Sequence, residues 1–139
     1  MAKGFVVAAP ASGSGKTLVT LALLRGLPQW LEHQRAASWA RGESIAQDEL
    51  TGKTMLVLGL GGIGSEVAQR GHGFGMKVLA TRRNASTPSP EWIEHVGPPE
   101  ELATLLPKAD VVVICVPLTK ETEKLFDAKA IGLMKSSAY

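Results

Sequence analysis

The sequence predicts an α/β protein: a three-layer sandwich around a four-stranded parallel sheet. Three observations carry this reading. Four short segments are β-branched and almost wholly apolar, as strands covered on both faces must be. They are "GFVVAA" (4–9), "TMLVLGL" (54–60), "MKVLAT" (76–81) and "DVVVICV" (110–116). Segments with helical spacing lie between them, and strand–helix alternation is the pattern of a parallel sheet with covered faces. Finally, the first two of these strands each run into a glycine-rich turn, "PASGSGKT" (10–17) and "GLGGIG" (59–64).

From Lys16 onward, Val19, Leu23, Leu27, Trp30 and Leu31 fall at helical spacing. Leu18, Leu21 and Ala22 widen that apolar surface, so the helix is expected to be covered on more than one side. "GLP" at 26–28 breaks it, and Pro28 suits the first position of a following helix. Residues 41–52 form a polar connection. A second helix is expected to start near Ile63 and to end at "GHGFG" (71–75), where three glycines oppose continuation. Residues 83–92, "RNASTPSPEW", read as loop, and 99–106 as a third helix with Glu100 and Glu101 near its N-terminus.

At 139 residues, with 45% apolar and 20% charged side chains, the chain suits one ordinary globular domain. A net charge of +2, with no cluster of Lys and Arg, argues against a nucleic-acid partner. The single Cys115 rules out an internal disulfide and a cysteine metal cluster, in keeping with a reducing cytoplasm. No apolar run approaches the roughly 18 residues that a membrane span requires, and "MAKGFVVAAP" lacks the pattern of a signal peptide. The expectation is a cytoplasmic protein with no membrane partner.

The second loop carries G-x-G-x-x-G at Gly59, Gly61 and Gly64, between a strand and a helix. The first glycine permits the tight turn, the second lets backbone approach a pyrophosphate, and the third lets helix pack on strand. Amides around Gly62 and Ile63 would face the anion. A plain strand-to-helix turn that binds nothing is the competing reading. About twenty residues on, an NAD site carries an acidic residue. Here stand Thr81, Arg82 and Arg83. Guanidinium groups suit a 2′-phosphate, so the pattern favours NADP over NAD; two solvated surface arginines are the alternative.

From about Leu21 onward the sequence resembles the nucleotide-binding domain of D-2-hydroxyacid dehydrogenases of the glyoxylate and hydroxypyruvate reductase type. The matching stretches include "LTGKTMLVLGLGGIGSEVAQRGHGFGMKVLATRR", "ADVVVICVPLTKETEKLFD" and "LMKSSAY". The resemblance implies a Rossmann-like fold, with Val116 and Pro117 on the adenosine side and Thr122 near the cofactor. It also implies a dimer contact around Trp39. Members of that family have a separate substrate domain and a catalytic Arg, Glu and His, which no residue here matches. His33, His72 and His95 do not fall at the catalytic position. Dehydrogenase turnover is therefore not expected of this chain.

The first loop resembles the start of P-loop NTPases, especially the cobyrinic acid a,c-diamide synthase and dethiobiotin synthetase group. The Walker pattern is met at Gly15, Lys16 and Thr17, with Pro10 replacing its first glycine. Backbone amides of Ser12, Gly13, Ser14, Gly15, Lys16 and Thr17 would form a phosphate nest, and Thr17 would reach Mg²⁺ if a magnesium nucleotide such as ATP binds. A connector that binds nothing is again the competing reading. No strand ends in the carboxylate that hydrolysis needs. The expectation is an engineered chimera forming one domain over 1–139, with 1–20 from a P-loop protein and 21–139 from half a Rossmann domain. In it, residues 4–9 dock beside the first Rossmann strand, giving the order third, second, first, N-terminal. Such a protein would lack catalysis and retain weak binding of NADP, ATP or phosphate, and a homodimer would suit its thin core. The alternative is a truncated NADP-dependent 2-hydroxyacid dehydrogenase.

Overall fold

The computed structural model describes residues 27–38 and 49–139. Helix α1 spans Leu27–Arg35 with Pro28 in its first turn, where a missing N–H costs nothing. Strand β1 (Thr54–Leu58) leads through the glycine loop into α2 (Gly62–Gly73), followed by β2 (Lys77–Thr81) and β3 (Ile93–Gly97). A short helix, α3 (Leu102–Leu105), is flanked by 3-10 turns at Pro99–Glu101 and Leu106–Lys108. Strand β4 (Val111–Ile114) and α4 (Ala128–Leu133) complete the elements. No helix among the described residues is long and apolar enough to cross a membrane.

All four strands are parallel and lie in the order β3-β2-β1-β4. The expected class, a Rossmann-like α/β sandwich on a four-stranded parallel sheet, is what the chain adopts. One face packs Met55, Val57, Val78, Ala80 and Val111 against Ala68 and Val67 of α2. The other packs Leu56, Leu58, Leu79 and Val112 against Leu102 and Leu105 of α3, Leu106, and Ala130 of α4. Leu56, Val57 and Val78 are fully buried, as the near-continuous apolar runs require. At Gly71 helix and strand come so close that a Cβ would lie 2.8 Å from Met55.

Two strand placements need correction. The position beside β1, expected for residues 4–9, is taken by β4, which pairs Met55 with Val111 and Leu58 with Ile114. The outer position beside β2, expected for residues 110–116, is taken by β3, which residue patterning missed. The cause is the crossover through α3, which carries the chain from the β3 edge back over the sheet to the free side of β1. Residues 4–9 themselves, and the helix expected from Lys16, lie outside the described residues. The third helix is also interrupted: Pro107 cannot donate within a helix, and the segment closes in a 3-10 turn.

Candidate functional site

The glycine loop sits at the carboxyl end of β1, flanked by the chain leaving β2 and the chain leaving β4. Gly59 has φ +94°, and a Cβ there would lie 2.8 Å from Val116 Cγ1. Both requirements exclude other residues, one through backbone strain and the other through contact. The amides of Gly59 and Leu60 both donate to the Thr81 carbonyl (3.0 Å each), tying the loop to the end of β2. At Gly64 a Cβ would collide with the Gly59 carbonyl oxygen, so only glycine lets α2 start this close to β1.

Gly61 and Gly62 differ in kind. Nothing lies within 4 Å of a Cβ at either, and both are exposed. Gly61 is the N-cap of α2 and has no side chain to satisfy the first-turn amides, nor is any acidic side chain present in that turn. Amides at the start of the helix are left for an anion, and the helix dipole adds to their attraction. Ile63 is half-buried and anchors the turn.

Arg82 and Arg83 follow β2 directly. The Arg82 amide donates to the Gly97 carbonyl (3.0 Å), so the strand missed in the sequence is what positions this arginine. Ile93 and Val96, bracketed by Pro90 and Pro98, were the available signal for it. The Nε and Nη2 atoms of Arg82 are buried and make no hydrogen bond among the described residues. Buried donors without a partner are rare, and on a cation they call for an anion. Arg83 is exposed.

The loop after β4 forms the other wall. Val116 is half-buried against Gly59, and Pro117 is exposed. The Thr122 hydroxyl, expected near the cofactor, donates to the Pro117 carbonyl and accepts from the Thr119 amide (2.8 Å). Its proton is thus committed within the loop, and it shapes the wall. Thr119 Oγ1 donates to Glu121 (2.6 Å), which holds the Glu121 carboxyl below its usual range, with a smaller contribution from the charge of Arg83. Gly59, Gly61, Gly62, Ile63, Gly64, Val116 and Pro117 are therefore gathered at one rim, with Arg82 and Arg83 at its β2 side. Ser12, Gly13, Ser14, Gly15, Lys16 and Thr17 lie outside the described residues.

This arrangement defines a dinucleotide-binding Rossmann-like domain. Residues 17–139 match the family described as D-isomer specific 2-hydroxyacid dehydrogenase, NAD binding domain. The chain belongs to that family. A glyoxylate reductase of Thermococcus kodakarensis is 40% identical over 106 residues, covering 76% of this chain and 31% of the relative. A solved D-isomer specific 2-hydroxyacid dehydrogenase family protein from Aeromonas salmonicida superposes with a TM-score of 0.76 at 35% identity, covering 88% of this chain and 38% of that one. An acyclic imino acid reductase, solved in complex with NADPH and D-Arg, gives a TM-score of 0.70 at 28% identity, covering 84% and 36%. The chain spans about a third of the length of these relatives.

These matches lend no support to a fusion with a P-loop protein or to an ATP and magnesium site. The family match begins at Thr17, inside the segment assigned to P-loop ancestry. The boundary expected between residues 20 and 21 falls inside the span the dehydrogenase family covers, which reaches the last residue of the first glycine loop. Of the two functional readings, the dehydrogenase alternative fits better than the non-catalytic chimera.

Proposed function

We propose that this chain is the dinucleotide-binding part of an NADP-dependent 2-hydroxyacid dehydrogenase. One observation carries the choice of NADP: the buried, unpartnered guanidinium nitrogens of Arg82 at the end of β2. A carboxylate there would accept from a ribose hydroxyl, whereas a guanidinium donates to a 2′-phosphate. The residues present fit the group. Gly61 and Gly62 leave open space for a pyrophosphate, the first-turn amides of α2 donate to it, and Gly59 and Gly64 hold the loop in place. Val116 and Pro117 give the adenosine side an apolar wall, and Thr122 keeps that wall in shape. The neighbouring imino acid reductase bound to NADPH supports the same cofactor.

When bound, the cofactor supplies or accepts a hydride. The chain's own work is to bind and orient it, and to exclude water from the pyrophosphate. The relatives' names point to small 2-oxo acids such as glyoxylate as partners for that hydride. Polarising and protonating such a substrate calls for a cation and an acid beside the nicotinamide, and His72 and His95 lie on other parts of the fold. Turnover is accordingly proposed only where such groups are brought to the rim. Trp30 and Leu31, exposed on α1, support pairing between copies through that helix, while Trp39 lies outside the described residues.

The test is a titration of the chain with NADPH and with NADH, followed by cofactor fluorescence. NADPH should bind more tightly, and Arg82→Ala should weaken NADPH by about tenfold or more while leaving NADH little changed. Equal affinity for the two cofactors rejects the proposal.

A further inference from the structure

A cavity of about 400 Å³ opens at the other end of the sheet, away from the glycine loop. Thr54 and Lys77 on its lining are the first residues of β1 and β2, whereas the dinucleotide rim follows the last residues of those strands. Its origin is the brevity of α3, four residues between two 3-10 turns, beside the β2–β3 face. The buried side chains of Leu79 and Leu105 form an apolar floor.

Charges of both signs surround that floor. Lys77, Lys108 and Glu94 are exposed and make no ion pair among the described residues. The fourth charged group, Glu101, is turned toward His95, whose Nε2 lies 2.6 Å from Glu101 Oε2. Gly97 makes room for this pair, since a Cβ there would meet the carboxyl of Glu101 and lie 2.9 Å from His95 Nε2. The pair walls the cavity and leaves two ammonium groups and one carboxylate available over a hydrocarbon floor.

A ligand with a single charge would satisfy part of this rim and face a like charge at the rest. A molecule carrying both charged groups on one carbon, with a short apolar tail, satisfies all of it. We infer that the cavity binds a free α-amino acid with an aliphatic side chain. The carboxylate lies between Lys77 and Lys108, the ammonium group faces Glu94, and the side chain rests on Leu79 and Leu105. Charge-assisted hydrogen bonds supply the orientation and the leucine floor excludes water.

Amide chemical shifts of the isotope-labelled chain test this with three probes: L-leucine, 4-methylpentanoate, which lacks the amine, and 3-methylbutylamine, which lacks the carboxylate. Leucine should give saturable shifts at residues 77, 79, 94, 104 and 108, and each half-ligand should bind at least roughly fivefold more weakly. Lys77→Met combined with Lys108→Met should weaken leucine by about tenfold. Saturating NADPH should leave leucine binding unchanged, because the two sites lie at opposite ends of the strands. Absence of saturable shifts, equal binding of 4-methylpentanoate, unchanged affinity in the double variant, or displacement by NADPH would each overturn the inference. Should the double variant fail to fold, the three-probe comparison on the unaltered chain still decides.

Discussion

A methyl group added at Gly64 would run into the Gly59 carbonyl oxygen, with Val57 Cγ1 only 3.2 Å away on the other side. Neither neighbour can yield, because one is backbone and the other a fully buried strand residue. Gly64→Ala should therefore cost about 2–3 kcal/mol, read as a lowered urea midpoint, and should weaken NADPH binding by displacing the first turn of α2. Asp110 makes a different demand. Partial burial pushes its carboxyl up, but hydrogen bonds from Lys135 Nζ (2.7 Å) and the Thr54 amide (2.8 Å), helped by the charges of Lys135 and Lys53, outweigh that and hold its pKa below 3.8. A carboxylate depressed in the folded state stabilises the fold above its unfolded pKa and loses that contribution as pH falls through the folded value. Stability should thus decline below about pH 4, and Asp110→Asn should flatten that part of a pH series of unfolding midpoints. The sequence made the glycines legible, since their spacing encodes backbone geometry directly. It did not reveal that Thr122 spends its proton on Pro117, or that Asp110 braces the start of β1, because both depend on contacts between distant segments.

At the scale of elements, the two long apolar strands and the glycine-opened helix were readable because burial on both faces leaves a continuous hydrophobic run. Strand β3 was not. Its residues read "IEHVG", with Glu94 and His95 both exposed, and an irregularity between Val78 and Leu79 shifts its register. An edge strand with a bulge loses the alternation that would announce it. The chain entering β3 is pinned to α2 by His72 and Trp92, whose rings stack at 4.7 Å with 15° between planes. Losing the ring stack in His72→Ala should open the Trp92 indole to water and move its emission to longer wavelength. An emission maximum left unchanged in that variant would show that the stack does not persist in solution.

For the whole molecule, the order of the strands was the hardest property to foresee. Rossmann sheets run in the order 3-2-1-4, and counting "DVVVICV" as the third strand placed it at the outside. The crossover through α3 instead carries it to the far side of β1, the neighbour position that β2 leaves open, where a strand this apolar is covered on both faces. Assigning residues 4–9 to that side followed from counting one strand too few. Beyond β4 the ladder continues for one residue. Tyr139 donates to the Asp110 carbonyl (3.0 Å) and accepts from the Val112 amide (2.9 Å), while Ala138 is 1% exposed. Deleting Ala138 and Tyr139 should cost about 2 kcal/mol by urea unfolding, through two lost backbone bonds and uncovered core.

Those two bonds also give the margin of the sheet a polarity. Donor and acceptor of one residue straddle Val111 in the manner of co-directional strands, and its ring already packs against the core on the α2 face. A strand that keeps the pairing Tyr139 begins runs the same way as Val111–Ile114. Two copies joined edge to edge by a two-fold axis would meet antiparallel, and would have to displace the pairing that Tyr139 makes.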